Sequence, residues 1–149
     1  MRRLGRLPTV HAVLPLSPAL LCLPAAFVLV YAPKLLTAAA MARQPEGYDN
    51  RDPREQHARL PPTGKRAQAA HLNGFEDFAP FAAAVLTATL CGAPAGLTNA
   101  LAIVHVVVRV VYPVLYIRGI DRMRSAVWAV GWLTTLGLFL APLAPAALS

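Results

Sequence analysis

Two sets of polar side chains lie within or beside apolar stretches of this chain, and each set falls on one face of a helix. At about 100° per residue, Arg66, Asn73 and Glu76 share an arc of about 80°. His105, Arg109, Tyr112 and Tyr116 share about 60° of an otherwise Val-rich run. An ionised side chain at the centre of a membrane costs about 2.5–3.5 kcal/mol on insertion scales, so such groups turn to a bundle interior or a cavity. The chemistry open to these two stripes is therefore a polar cleft held inside hydrocarbon. Each residue alone has a plainer reading: tyrosines in an interfacial belt, a snorkelling Arg109, a helix-locking ion pair at Glu76. Belt residues need not share one narrow face, however, and Arg109 stands about 10 Å along the helix from Tyr116. No other site chemistry is visible. His11, His57, His71 and His105 are scattered without metal-ligand spacing, and there is no GxSxG, Walker loop or dinucleotide fingerprint.

The elements that must carry these stripes follow from where charge is missing. The 149 residues are 56% hydrophobic and only 14% charged, too apolar for an ordinary soluble domain. Lys, Arg, Asp and Glu are absent from Ala12 to Pro33, from Phe78 to Val108 and from Ala126 to Ser149. A bilayer core needs about 20 apolar residues in a helix, so the outer runs fit one span each and the middle run fits two short ones. Cys91-Gly-Ala-Pro-Ala-Gly96 supplies the turn between those two. The expected fold is an all-α, integral membrane four-helix bundle in one domain, 1–149, with helices at about 12–41, 64–91, 97–118 and 125–143. Pro24 is a candidate kink in the first. That helix reads as a retained span rather than a signal peptide, being too long and holding Pro15, Pro18 and Pro24. Residues 42–63, rich in charge and turn signals, read as a solvated loop.

The net charge of +7 would suggest nucleic acid in a polar chain, but here the arginines flank apolar runs and no basic stripe alternates with aromatics. No nucleic-acid partner is expected. Arg2, Arg3 and Arg6 lie on one side of the expected spans. Ten cations lie on the other, from Lys34 to Arg66 and from Arg118 to Arg124. The bias places loops 42–63 and 118–124 in the cytoplasm. Cys22 and Cys91 sit in apolar runs without CxxC or a nearby His and read as small buried hydrophobes.

The stretch from Arg66 through His71-Leu72-Asn73-Gly-Phe-Glu76 to Pro80-Phe81, followed by Arg109-x-x-Tyr112-x-x-x-Tyr116-x-Arg118, resembles the MAPEG superfamily, membrane-associated proteins in eicosanoid and glutathione metabolism. Its His-Leu-Asn-x-x-Glu core is similar to that of the microsomal glutathione transferases. The resemblance implies a homotrimer in the lipid bilayer, binding glutathione between subunits near the cytoplasmic face and acting on a lipophilic small molecule. Carried over, Asn73 and Glu76 would hold the peptide, with Glu76 on its α-amino group. Arg109, Tyr112 and Tyr116 would line the same cleft, with His71 where the family has His or Gln and Arg118 closing the motif. An arginine soon after the second tyrosine activates the thiol in the family; the strict position here is Met123, flanked by Arg122 and Arg124, of which Arg124 is the favoured candidate. The family's arginine four residues before the Asn is Ala69 here, and Arg66 stands about one turn earlier.

A free thiol has a pKa near 8.5, so lowering it by about two units takes roughly 2.7 kcal/mol. One arginine about 4 Å away supplies about 4 kcal/mol at an effective dielectric near 20, before the thiolate's desolvation is subtracted. The expected activity is thus a glutathione transferase or peroxidase working by thiolate attack, with glutathione as co-substrate and no metal. The alternatives are a non-catalytic lipid- or glutathione-binding protein of the same fold, and a small transporter subunit or structural membrane protein.

Overall fold

The computed structural model describes residues 16–144. The expected start of the first helix at residue 12 and the cations Arg2, Arg3 and Arg6 lie outside them. Among the described residues the chain is all-helical: α1 Pro18–Ala42, α2 Pro53–Arg59, α3 Pro62–Leu90, α4 Ala95–Arg118 and α5 Asp121–Leu140, closed by a 3-10 turn, Ala141–Leu143. α1, α4 and α5 with its closing turn are each long and apolar enough to cross a membrane. α3 is longer, at 29 residues, but carries Lys65, Arg66, Glu76 and Asp77.

Each start and stop has a local cause. Ser17 caps α1, its hydroxyl accepting from the Leu20 N–H at 3.3 Å, and Pro18 takes the first turn where no donor is needed. Pro24 and Pro33 lie within α1 without ending it. The Ala19 N–H, a second orphan donor, finds Asn99 Oδ1 on α4 at 3.0 Å. Gly92, at φ +69°, turns the chain between α3 and α4, beside an exposed Cys91; Cys22 is buried. The reading of both cysteines as buried thus holds for Cys22 alone, because Cys91 falls on the turn.

Segment 42–63 is more than the solvated loop its composition suggests, because it contains α2. Gln56 is fully buried there. Its Nε2 donates to the carbonyls of Gly47 (2.6 Å) and Met41 (3.4 Å), and its Oε1 accepts from the Asp49 N–H (3.0 Å). One amide thus pins the loop to the end of α1, with its polar atoms satisfied.

The four long helices pack side by side, α3 touching α1, α4 and α5. Small residues allow close approach between α1 and α3, where a Cβ on Gly74 would stand 3.4 Å from the Val30 backbone. The apolar core joins Ala19, Cys22 and Ala26 to Phe81, Ala84, Val85 and Ala88, with Ala102, Leu138 and Ala141 from the other helices. Many large apolar side chains face outward, among them Leu21, Val28 and Leu35 on α1 and Val107 on α4, as a hydrocarbon environment permits.

At the opposite end from that core, α4 stops on Gly119, whose φ of +75° is left-handed. The Ile120 N–H bonds back to the Leu115 carbonyl at 3.0 Å and the Gly119 N–H to that of Tyr116 at 3.0 Å, a Schellman closure. Arg66 of α3 completes it, donating from Nε to the Ile117 carbonyl at 2.9 Å. Gly119→Ala should therefore destabilise the protein by about 1 kcal/mol, from the cost of a Cβ in the left-handed region, read as a lower melting temperature in detergent.

His57 on α2 is half-buried, with Nε2 enclosed and no hydrogen-bond partner among the described residues. Burial pushes its pKa below the ordinary value of 6.5, and the nearby Lys34 and His71 push the same way. Neutral His57 thus favours the folded state; the contribution is complete above 6.5 and lost as pH falls below it. The melting temperature should drop from about pH 7 to about pH 5, and His57→Gln should flatten that drop.

Candidate functional site

The polar stripe of α4 is buried as its periodicity requires, with His105 0%, Tyr112 4% and Arg109 8% exposed. What makes that burial tolerable is Asp77 on α3, a residue counted in neither stripe. Its Oδ2 lies 3.2 Å from Arg109 Nε and 3.1 Å from His105 Nε2. The other side of the His105 ring faces α5, with Nδ1 3.1 Å from Thr134 Oγ1 and 3.3 Å from Thr135 Oγ1. Both hydroxyls also reach the Gly131 carbonyl, at 2.7 and 3.1 Å. With the ring proton on Nε2, two hydroxyl protons serve two acceptors and nothing is left unpaired. Phe81 stacks flat on the ring, centroids 3.8 Å apart.

Arg109 gives one donor from each terminal nitrogen to Asn73, with Nη1 and Nη2 at 3.4 and 3.3 Å from Oδ1. The amide is thereby turned so that its NH2 points to Glu76, Nδ2 to Oε2 at 3.4 Å. Tyr112 lies under the same guanidinium, its ring centroid 4.5 Å from Cζ, and meets Tyr116 edge-on at 5.7 Å. Tyr116 in turn carries Arg124 of α5, with Cζ 4.5 Å over its ring. A ladder of four side chains thus runs from the interior to the mouth of an open groove.

That groove, about 440 Å³, is lined by Asn73, Glu76, Tyr112, Tyr116, Arg124 and Trp128, with Ala69 in its wall. It shares Asn73, Glu76 and Trp128 with an apolar lane of about 310 Å³ that continues past Pro80, Trp132, Leu136 and Phe139. Glu76 is exposed and Arg124 half-buried, so one carboxylate and one guanidinium face the groove, while Asp77 lines the lane with its carboxylate committed to His105 and to Arg109 behind it.

Four expected site residues lie elsewhere. His71 stands about 160° around α3 from Asn73, buried, its Nδ1 2.8 Å from the Val30 carbonyl of α1 and its ring packed by Tyr31 and Phe75. Arg66 is held at the end of α4, as described above. Arg118 is exposed in the last turn of α4 and Arg122 is exposed in the first turn of α5; neither lines the groove. Sequence reasoning missed Asp77, Trp128, Trp132, Thr134 and Thr135. Asp77 was within reach of the argument, since an arginine buried in a span demands a carboxylate and Asp77 follows Asn73 by four positions, on the same face.

The MAPEG family model matches residues 18–144, from the first residue of α1 to the residue after the closing turn. The chain belongs to the MAPEG family. That family includes glutathione transferases and peroxidases as well as non-catalytic members. Together with three helices apolar enough to span, membership in this membrane family makes the chain an integral membrane protein. No curated protein and no solved structure matches it. Among the described residues no three His, Cys, Asp or Glu side chains gather as a metal set.

His105→Ala should cost about 3 kcal/mol, the sum of a lost aromatic stack, a cavity and an Asp77 oxygen with one partner fewer. Unfolding in detergent reads it. His105→Phe, which restores the stack without the hydrogen bonds, should recover only part.

Proposed function

We propose that the chain is a membrane glutathione-dependent transferase or peroxidase of lipophilic electrophiles or hydroperoxides, built as a four-span subunit of a homotrimer. The loops 42–63 and 118–124 face the cytoplasm in this reading. The observation that carries it is the join between a polar groove, with Glu76 and Arg124 as its free charges, and an apolar lane walled by Trp128 and Trp132. A peptide thiol and an oily electrophile could meet there without either leaving its preferred surroundings.

In this scheme Glu76 takes the ligand's ammonium and Asn73, its amide aimed by Arg109, takes the peptide. Tyr112 and Tyr116 wall the cleft. Arg124 lies beside the sulfur and favours the thiolate. The thiolate forms a carbon–sulfur bond as the electrophile's leaving group departs with the electron pair. With a hydroperoxide, attack on the distal oxygen breaks the O–O bond and gives an alcohol and a sulfenic acid. A second thiol converts the latter to disulfide and water. Arg118 and Arg122, exposed outside the groove, have no role in this scheme, while Arg66 holds the end of α4 and His71 ties α3 to the Val30 carbonyl of α1.

Glutathione should bind the detergent-solubilised protein by calorimetry. Arg124→Ala should lower conjugation at neutral pH by at least about tenfold, a change of about 1.4 kcal/mol or more in the barrier, while Arg122→Ala changes it less than about twofold. Equal effects at both positions would sink the assignment, and absence of glutathione binding would sink the reading itself. One observation favours the non-catalytic alternative: Ala69 lines the groove where the resemblance implies an arginine, and Arg66 is committed to Ile117. A protein that binds glutathione with no thiol-dependent turnover on any electrophile would fit that second reading.

A further inference from the structure

Two carboxylates stand side by side on α3, and one buried cation stands opposite them. Asp77 is half-buried and touches Arg109 directly, whereas Glu76 is exposed to the groove and is linked to Arg109 only through the Asn73 amide. A guanidinium with 8% of its surface exposed needs a carboxylate, since an unpaired buried charge costs far more than a paired one. With Asp77 in place that requirement is met away from the groove. Without it, the nearest acid is Glu76, one amide away.

We infer that Asp77 is a positioning residue that sets ligand selectivity: by neutralising Arg109 it keeps the Glu76 carboxylate free for the ammonium group of a ligand. The inference rests on the groove being the site of an amino-bearing peptide thiol, as proposed above. It assigns the division of labour between adjacent acids. Asp77 borders the apolar lane but not the groove, its carboxylate shared between Arg109 and His105, whose ring is stacked on Phe81. Glu76 faces outward, with only the long Asn73 contact of 3.4 Å to release. A site arranged this way favours glutathione over the same tripeptide lacking its α-amino group. The preference belongs to Glu76, but its survival depends on Asp77.

The test compares the binding of those two tripeptides to the full-length protein in detergent. The parent should prefer glutathione by about tenfold, the scale of one charge-assisted hydrogen bond, and Glu76→Gln should remove the preference. Asp77→Asn should also remove it, by letting Arg109 recruit Glu76. Adding Arg109→Gln to Asp77→Asn should restore it, because no buried cation then competes for Glu76. A merely structural role for Asp77 would weaken both tripeptides together and leave their ratio unchanged. Should Asp77→Asn fail to stay folded in detergent, the same comparison on that variant reconstituted in lipid vesicles decides: a lost preference supports the assignment and a retained one overturns it. If the parent and Glu76→Gln behave as stated but Asp77→Asn keeps the preference, the selectivity role of Asp77 is wrong and the glutathione reading stands. If the parent binds neither tripeptide, or binds both equally, both fail.

Discussion

The ion pair between Arg109 and Asp77 is the constraint on which the rest of this structure depends. A guanidinium in the middle of an apolar helix is tolerable only with a carboxylate at hydrogen-bond distance, and the attraction offsets desolvation better the more of the pair's other polar atoms are bonded. Arg109 approaches that condition with three of its five N–H donors, on Asp77 and Asn73, and with its face on Tyr112. Asp77 meets it through Arg109 and His105, and His105 through the threonines of α5. One buried charge therefore ties α3, α4 and α5 at a fixed register. The network carries the order that a membrane interior, with no water to compete for hydrogen bonds, makes hard to rearrange.

From that tie the groove follows. Because Arg109 is neutralised inward, the charges left facing the opening are Glu76 and Arg124, on different helices and of opposite sign. Arg124 reaches its place through the αL stop at Gly119, which turns the chain from α4 into α5 within two residues, and through Arg66, which holds the end of α4. The residues that look catalytic by type thus divide into those that face the opening and those that fix the helices behind it. Proline adds to this. Pro80 and Pro113 each stand four positions after a site residue, Glu76 and Arg109, and leave those carbonyls without a helical donor.

The legible part of the site was its faces. Asn73 with Glu76, and Arg109 with Tyr112 and Tyr116, come together because helical periodicity fixes angle about the axis whatever the neighbours are. His71 shows the limit. Two positions before Asn73 in the motif, it points to α1, since two residues on a helix are about 160° apart in the shorter sense. Arg66 shares the angular sector of Asn73, yet about 10 Å along the axis it meets the end of α4 instead of the groove. Gln56 was invisible for another reason: its three hydrogen bonds go to backbone groups of a charge-rich segment, and nothing in composition distinguishes a buried amide from a solvated one.

The sequence by itself determined that the chain is helical and apolar enough for a membrane, where its polar stripes lie and which family it resembles. These follow from run length, from periodicity and from motif spacing, all local properties. Only the tertiary structure decided that Asp77 and not Glu76 neutralises Arg109, that Arg124 and not Arg122 lines the groove, and that Trp128 and Trp132 extend it into an apolar lane. Those choices depend on which helix lies against which face and at what height, and packing distances between helices are written in no single segment of the chain.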